Sequence, residues 1–278
     1  MVLALGAALS WGVSDFLGGV TSKRLALLWV LLCTQIVGVA LVLPFAALHG
    51  QPAFDSFAIV VAIAGSLSGL VGIASLYRAI ALGVASIAAP ISATGAILPV
   101  VFGFVRGEPT TMLQEIGMGC ALLGVLIASR TGEEQAHLGR DAKVGVGFAL
   151  LAALGFGGFF VLLHEASTRD VLWAVSVQRA TGTVVLAALV LVRRPPLVIR
   201  WRSDAPWLIL IGGLDQLANV LYGYASTVGL VSLSAVLASL YPMVTVLLAR
   251  FVLNERISGL QKSGVALALT GVALVAGG

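Results

Sequence analysis

Apolar residues occur along this chain in long blocks, without the alternation of a half-buried strand or the single apolar stripe of a soluble helix. About twenty such residues are enough to cross the hydrocarbon of a bilayer. The blocks predict ten membrane-spanning helices, over 2–20, 25–48, 56–82, 85–105, 112–129, 144–163, 171–192, 206–228, 231–253 and 258–276. Most connections are short. The polar stretch around 130–143, with Glu133, Glu134, His137 and Arg140, reads as the mid-chain boundary. It divides the chain into a first five-helix unit (1–130), a linker (131–143) and a second five-helix unit (144–278).

The two units repeat. Leu76-Tyr77 and Leu221-Tyr222 fall at corresponding places, each followed by a small-residue turn, Gly83 to Ser86 and Gly229 to Ser232. Glu108 corresponds to Glu255, and the stretch from Ile116 to Ala121 resembles that from Lys262 to Leu267. Five is an odd number of spans, so the second unit enters the membrane with opposite orientation. Inverted repeats of this kind characterise many secondary transporters, whose solute sites lie near the midplane between the halves. The predicted class is an all-α polytopic membrane protein of ten helices in two inverted repeats.

Composition agrees. Of 278 residues, 59% are hydrophobic and 10% charged, with a mean hydropathy of +1.08. A soluble domain is about one quarter charged. The net charge of +4 resides in short loops, which fits membrane orientation and not nucleic-acid binding. Lys23, Arg24, Arg193, Arg194, Arg200 and Arg202 lie in odd-numbered loops, whereas the even-numbered loops hold Arg106 and Arg169. The positive-inside rule then puts both termini outside the cytoplasm. The first span lacks a basic leader and is not read as a cleaved signal. Cys33 and Cys120 lie in apolar spans and read as small hydrophobes.

Against this background each polar residue inside a span requires a reason. Asp15 lies in the first span with Trp11 one turn before it, a plausible wall for an organic cation or zwitterion. Asp215 is deeper, near the centre of the eighth span. Asp215, Asn219, Tyr222 and Ser226 advance by four, three and four, on one helical stripe. The matching stripe of the third span is mostly apolar. Arg179 lies inside the seventh span beside Gln178, and Gln35 takes the comparable place in the second. Arg179 needs an acidic partner, and Asp15 and Asp215 are the candidates. One carboxylate is then left without a counter-charge, a physical route to proton coupling, with Asp215 the first choice and Asp15 the second. Each of these residues also has a structural reading: Asp15 facing headgroups or pairing with Lys23 or Arg24, the stripe as interhelical glue, Arg179 in a permanent pair. Pro90, Pro99 and Pro242 interrupt helical hydrogen bonding and are candidate hinges. No metalloprotease, nucleophile-elbow or phosphate-loop motif occurs, and His164-Glu165 reads as an interfacial pair. No enzyme activity, cofactor or metal is expected.

The segment Ser239-Leu240-Tyr241-Pro242 through Leu253-Asn254-Glu255-Arg256-Ile257-Ser258, with Gln261 and Gly264 to Ala276, resembles the drug/metabolite transporter superfamily, in particular its EamA-type ten-helix members. The opening Ser10-Trp11-Gly12-Val13-Ser14-Asp15-Phe16-Leu17-Gly18-Gly19 is similar as well. The first repeat departs from the pattern in having Gly95 where Pro242 would align. The resemblance implies two bundled five-helix halves, solute translocation by alternating access, export before uptake, and both termini in the cytoplasm, opposite to the charge count. The expected setting is multi-pass in a cell membrane such as a bacterial inner membrane. Its partners would be lipid, a small solute and protons. The site would comprise Trp11, Asp15, Gln35, Arg179, Asp215, Asn219 and Tyr222. Two rivals remain: a sugar uptake porter, which needs Trp11 or Tyr222 facing a cavity, and a non-transporting scaffold or sensor, which needs a dry centre with Arg179 fully paired.

Overall fold

The computed structural model describes residues 1–50, 55–82, 91–128, 140–252 and 258–278, with the side chains at 80, 81, 140–142, 249 and 250 outside that description. Pro90, Glu133, Glu134, His137, Glu255 and the turn from Gly83 to Ser86 lie outside the described residues. The regular elements are helical: α1 Val2–Ser22, α2 Leu27–His49, α3 Ser56–Ala81, α4 Ile97–Val105, α5 Met112–Ala128, α6 Arg140–Ser167, α7 Val171–Arg193, α8 Trp201–Val228, α9 Val231–Ala238, α10 Tyr241–Val252 and α11 Gly259–Gly277. Among the described residues, seven helical stretches are long and apolar enough to cross a membrane, and shorter apolar helices accompany them. The ten spans stand as two inverted five-helix repeats, the ninth span being α9 and α10 together.

Two spans are broken at related places. The ninth parts at Ser239–Leu240, where the Leu240 N–H donates to the Leu237 carbonyl at 3.3 Å, a tighter turn than an α-helix makes. Pro242 then sits in the first turn of α10, where its missing N–H costs nothing. The fourth span passes through a 3₁₀ turn, Thr94–Ala96, and Pro99 falls in the first turn of α4. Pro99, and not the aligned Gly95, thus takes the place of Pro242 as the residue that opens a new helix after a break.

The eighth span starts at Trp201, ahead of the expected Pro206. Asp204 accounts for the difference. Its carboxylate reaches back to the Arg200 N–H at 2.8 Å and satisfies a donor that a helix start leaves orphaned. The same carboxylate pairs with Arg24 at 2.7 Å and is almost fully buried. Arg24 is therefore not the partner of Asp15.

The repeats are intertwined. α1 packs on α8 and α10 of the second half, and α6 packs on α3 and on the turn before α4 in the first half. A Cβ on Gly12 would stand 2.7 Å from the Tyr241 carbonyl. One on Gly95 would stand 2.5 Å from the Ala153 carbonyl. Each break thus lies against the first helix of the opposite half. The halves also meet along α5 and α11, where Gly117, Ala121, Gly124 and Ala128 face Gly264, Ala268, Gly271 and Val275. Small residues allow such backbone approach in a membrane, where burial of apolar surface gives no gain over lipid.

Candidate functional site

Three helices bring polar side chains together inside the bundle. Arg179 of α7 is at the centre, with its side chain 7% exposed. Its Nη1 lies 2.6 Å from Asp215 Oδ2 of α8. Its Nη1 also donates to Gln35 Oε1 of α2 at 3.1 Å, its Nε to Gln216 Oε1 at 3.0 Å, and its Nη2 to the Asp215 carbonyl at 3.3 Å. A buried guanidinium needs this density of acceptors, because water supplies none there. Gly38 makes room for it: a Cβ there would lie 3.1 Å from both Arg179 Cδ and Gln216 Oε1. Gly182 does the same for Gln35. The Nε2 atoms of Gln178 and Gln216 are buried and find no hydrogen-bond acceptor among the described residues.

The polar stripe of α8 has separate destinations. Asp215 is 26% exposed and ion-paired. Asn219 is buried, and its Nδ2 donates to the Asp215 carbonyl of its own helix at 2.6 Å. Tyr222 is fully buried, and its hydroxyl donates to the Phe160 carbonyl at 3.1 Å. Ser226 bonds the Gly223 carbonyl. Trp11 packs edge-on to Phe160 with ring centroids at 5.6 Å, and lies 6.0 Å from Tyr222. Together with Phe159 and Tyr241 these rings form an aromatic plug between α1, α6, α8 and α10.

Asp15 is one turn from this plug and remains exposed, although it lies well inside α1. It makes no ion pair among the described residues. Asp215 of α8 is within electrostatic range of it, and Tyr77 of α3 and Tyr241 of α10 are within range of its charge. These groups come from α3, α8 and α10, so residues of both halves lie around Asp15. Trp11 precedes Asp15 on α1, so the plug lies on the side of Asp15 toward the even-numbered loops. A cleft lies where the two helix breaks approach each other, lined by Ser92, Ala96, Phe156, Phe160, Ser239 and Pro242.

The ion pair alters the sequence-based order of the carboxylates. Asp215 carries the counter-charge, and Asp15 has none among the described residues. Sequence reading missed Gln216, which is next to Asp215 but off the 215–219–222 stripe and turned toward α7. It also missed Asp204, because the loop count weighed only Lys and Arg. Tyr77 was visible as a repeat marker and is 37% exposed.

Comparison with known proteins agrees with this architecture. The EamA-like transporter family matches residues 1–130 and 143–277. A solved structure described only as "Crystal structure of protein" superposes with a TM-score of 0.81 at 19% identity, covering 98% of this chain and 94% of the other. At that identity it shows a shared fold. No curated protein matches.

Proposed function

Because the chain belongs to the EamA-like transporter family, and is thus a multi-pass membrane transporter of the drug/metabolite type, we propose that it is a proton-coupled secondary exporter of a small cationic or zwitterionic solute in a cell membrane. The moving parts are the two repeats, 1–130 and 144–278, joined by the linker 131–143. The observation that carries this reading is Asp15, exposed well inside α1 and with no ion pair among the described residues, beside the Arg179–Asp215 ion pair. Two carboxylates and one guanidinium give a site of net charge minus one. Such a site takes one proton or one ammonium group, and not both at once. Exclusive occupancy by either, on alternating sides, is exchange.

Asp15 is the proton carrier in this scheme. Asp215, ion-paired to Arg179, sets the charge that Asp15 senses and is the second coupling group. Tyr77 and Tyr241 supply rings and hydroxyls for an organic cation. Trp11 and Tyr222 back the site as part of the plug, and Pro99 and Pro242 open the helices that pivot. A sugar porter would need Trp11 or Tyr222 facing a cavity, and both are buried. A scaffold would need a dry centre. The paired Arg179 fits that reading and the exposed Asp15 does not.

The test uses protein in liposomes with an imposed pH gradient and a panel of primary amines, amino acids and neutral hexoses, preselected by thermal shift, since a bound ligand stabilises the folded form. An amine or zwitterion should accumulate against its gradient, and in Asp15→Asn transport should no longer follow the pH gradient. A variant that follows it as the wild type does would remove the coupling role. Accumulation of hexoses alone would restore the sugar reading.

A further inference from the structure

We propose that Glu108 is a latch between the two halves: its carboxylate holds the face of the even-numbered loops closed by binding the N-terminus of α9, and it must release each time that face opens. Glu108 lies in the first half, on the loop after α4. One of its oxygens accepts from the Val231 N–H. The other accepts from the Ser232 N–H at 3.1 Å and from the Ser232 hydroxyl. The donors belong to the first turn of α9, in the second half, more than a hundred residues along the chain. A helix N-terminus presents free N–H groups and partial positive charge, and a carboxylate is its strongest complement.

The local chain is built to deliver this group. Gly107 adopts φ +75°, a left-handed conformation that turns the loop back. The Glu108 N–H then bonds the Gly103 carbonyl at 3.0 Å. Gly103 has no side chain, and a Cβ there would collide with the Glu108 carboxyl. Two further ties cross between the halves on the same face. Arg106 bonds both oxygens of Glu165 of α6 at 3.2 Å, its guanidinium 5.0 Å above the Phe102 ring. Glu165 therefore pairs with Arg106, and not with the neighbouring His164. Arg169 approaches Asp55 at 3.7 Å. Those two pairs are exposed, and exposed pairs contribute little. The Glu108 bonds are partly buried and multidentate, so they are the ones that bind the face shut. The aromatic plug lies behind them.

The direction of the movement rests on the transporter reading above, but the latch itself does not. The test uses single-cysteine proteins in which Cys33→Ser and Cys120→Ser remove the native thiols, purified in detergent so that reagent reaches both faces. Ser234→Cys reports on the latch, being buried two residues beyond Ser232. Gly19→Cys reports on the opposite face, being exposed and one turn beyond Asp15 with nothing near its Cβ position. With Glu108→Gln, maleimide should react with the Ser234 reporter at least about tenfold faster, the order of population shift expected when charge-assisted hydrogen bonds are lost from one of two states. The Gly19 reporter should slow as its face closes. Ser232→Ala, which removes one hydroxyl, should give a smaller rise of the same sign and carries the test if Glu108→Gln does not fold. An unchanged rate at Ser234, or equal acceleration of both reporters as in general loosening, would overturn the latch. A rise at Ser234 with Gly19 unchanged would support the latch and remove the reciprocal movement that transport requires.

Discussion

Arg179→Met will destabilise the folded protein by about 3–5 kcal/mol, the range for breaking a buried pair by deleting one partner. The loss has three sources. Asp215 keeps its charge without the guanidinium 2.6 Å away. The side-chain oxygens of Gln35 and Gln216 lose their donor. The space bounded by Gly38 is left poorly filled, since methionine approximates the stem of arginine and not its head. The double variant Arg179→Met/Asp215→Asn should recover much of the loss, because replacing both charges of a buried pair is far less costly than stranding one. Unfolding in detergent, followed by heat or denaturant on all three variants and the parent, reads the cycle directly. If Arg179→Met lies within about 1 kcal/mol of the parent, as is common for exposed pairs, the guanidinium is not the keystone described here.

Gly124→Ala and Gly119→Ala should change stability in opposite directions, although both residues lie on α5. Alanine is favoured over glycine inside a helix by about 1 kcal/mol. At Gly119 nothing lies within 4 Å of the new methyl, so that gain is expected in full. At Gly124 the methyl would stand 2.6 Å from the Ala268 Cα, which is backbone and cannot rotate away. α5 and α11 must move apart, and a cost of about 1–3 kcal/mol from overpacking outweighs the propensity gain. The same unfolding assay should therefore rank Gly119→Ala above the parent and Gly124→Ala below it. Stabilisation by both substitutions would mean that the two helices are less close than the seam implies.

The fold was legible because bilayer thickness turns a run of apolar residues into a length measurement. The ninth span shows both the reach and the limit of that reading. Pro242 announced an interruption, but the break falls at Ser239–Leu240 because proline opens a new helix and the residues before it absorb the turn. The α8 stripe was also correctly phased. Periodicity assigns residues to a face and does not say what the face meets. Asn219 turns to its own helix and Tyr222 to the Phe160 carbonyl, while off-stripe Gln216 reaches Arg179. The surroundings of Asp15 depend on how the inverted halves interlock, which no local spacing encodes, whereas Arg179 and Asp215 pair between successive helices of one half. Glu108 was visible as a repeat marker through its match to Glu255. Its bond to the start of α9 joins positions 123 residues apart and needed the structure.

The placement of α1 against α8 and α10 has a consequence for biosynthesis. The hydroxyl of Thr245 bonds the Gly12 carbonyl across 233 positions of sequence. Chains elongate at about 5–20 residues per second, so roughly 10 to 50 seconds separate the emergence of these two residues from the ribosome. During that interval α1, carrying Asp15, waits for neighbours that do not yet exist. A nascent chain arrested before the ninth span would present that carboxylate with no native neighbour from α10, and so would offer membrane quality control a recognisable mark of an unfinished molecule.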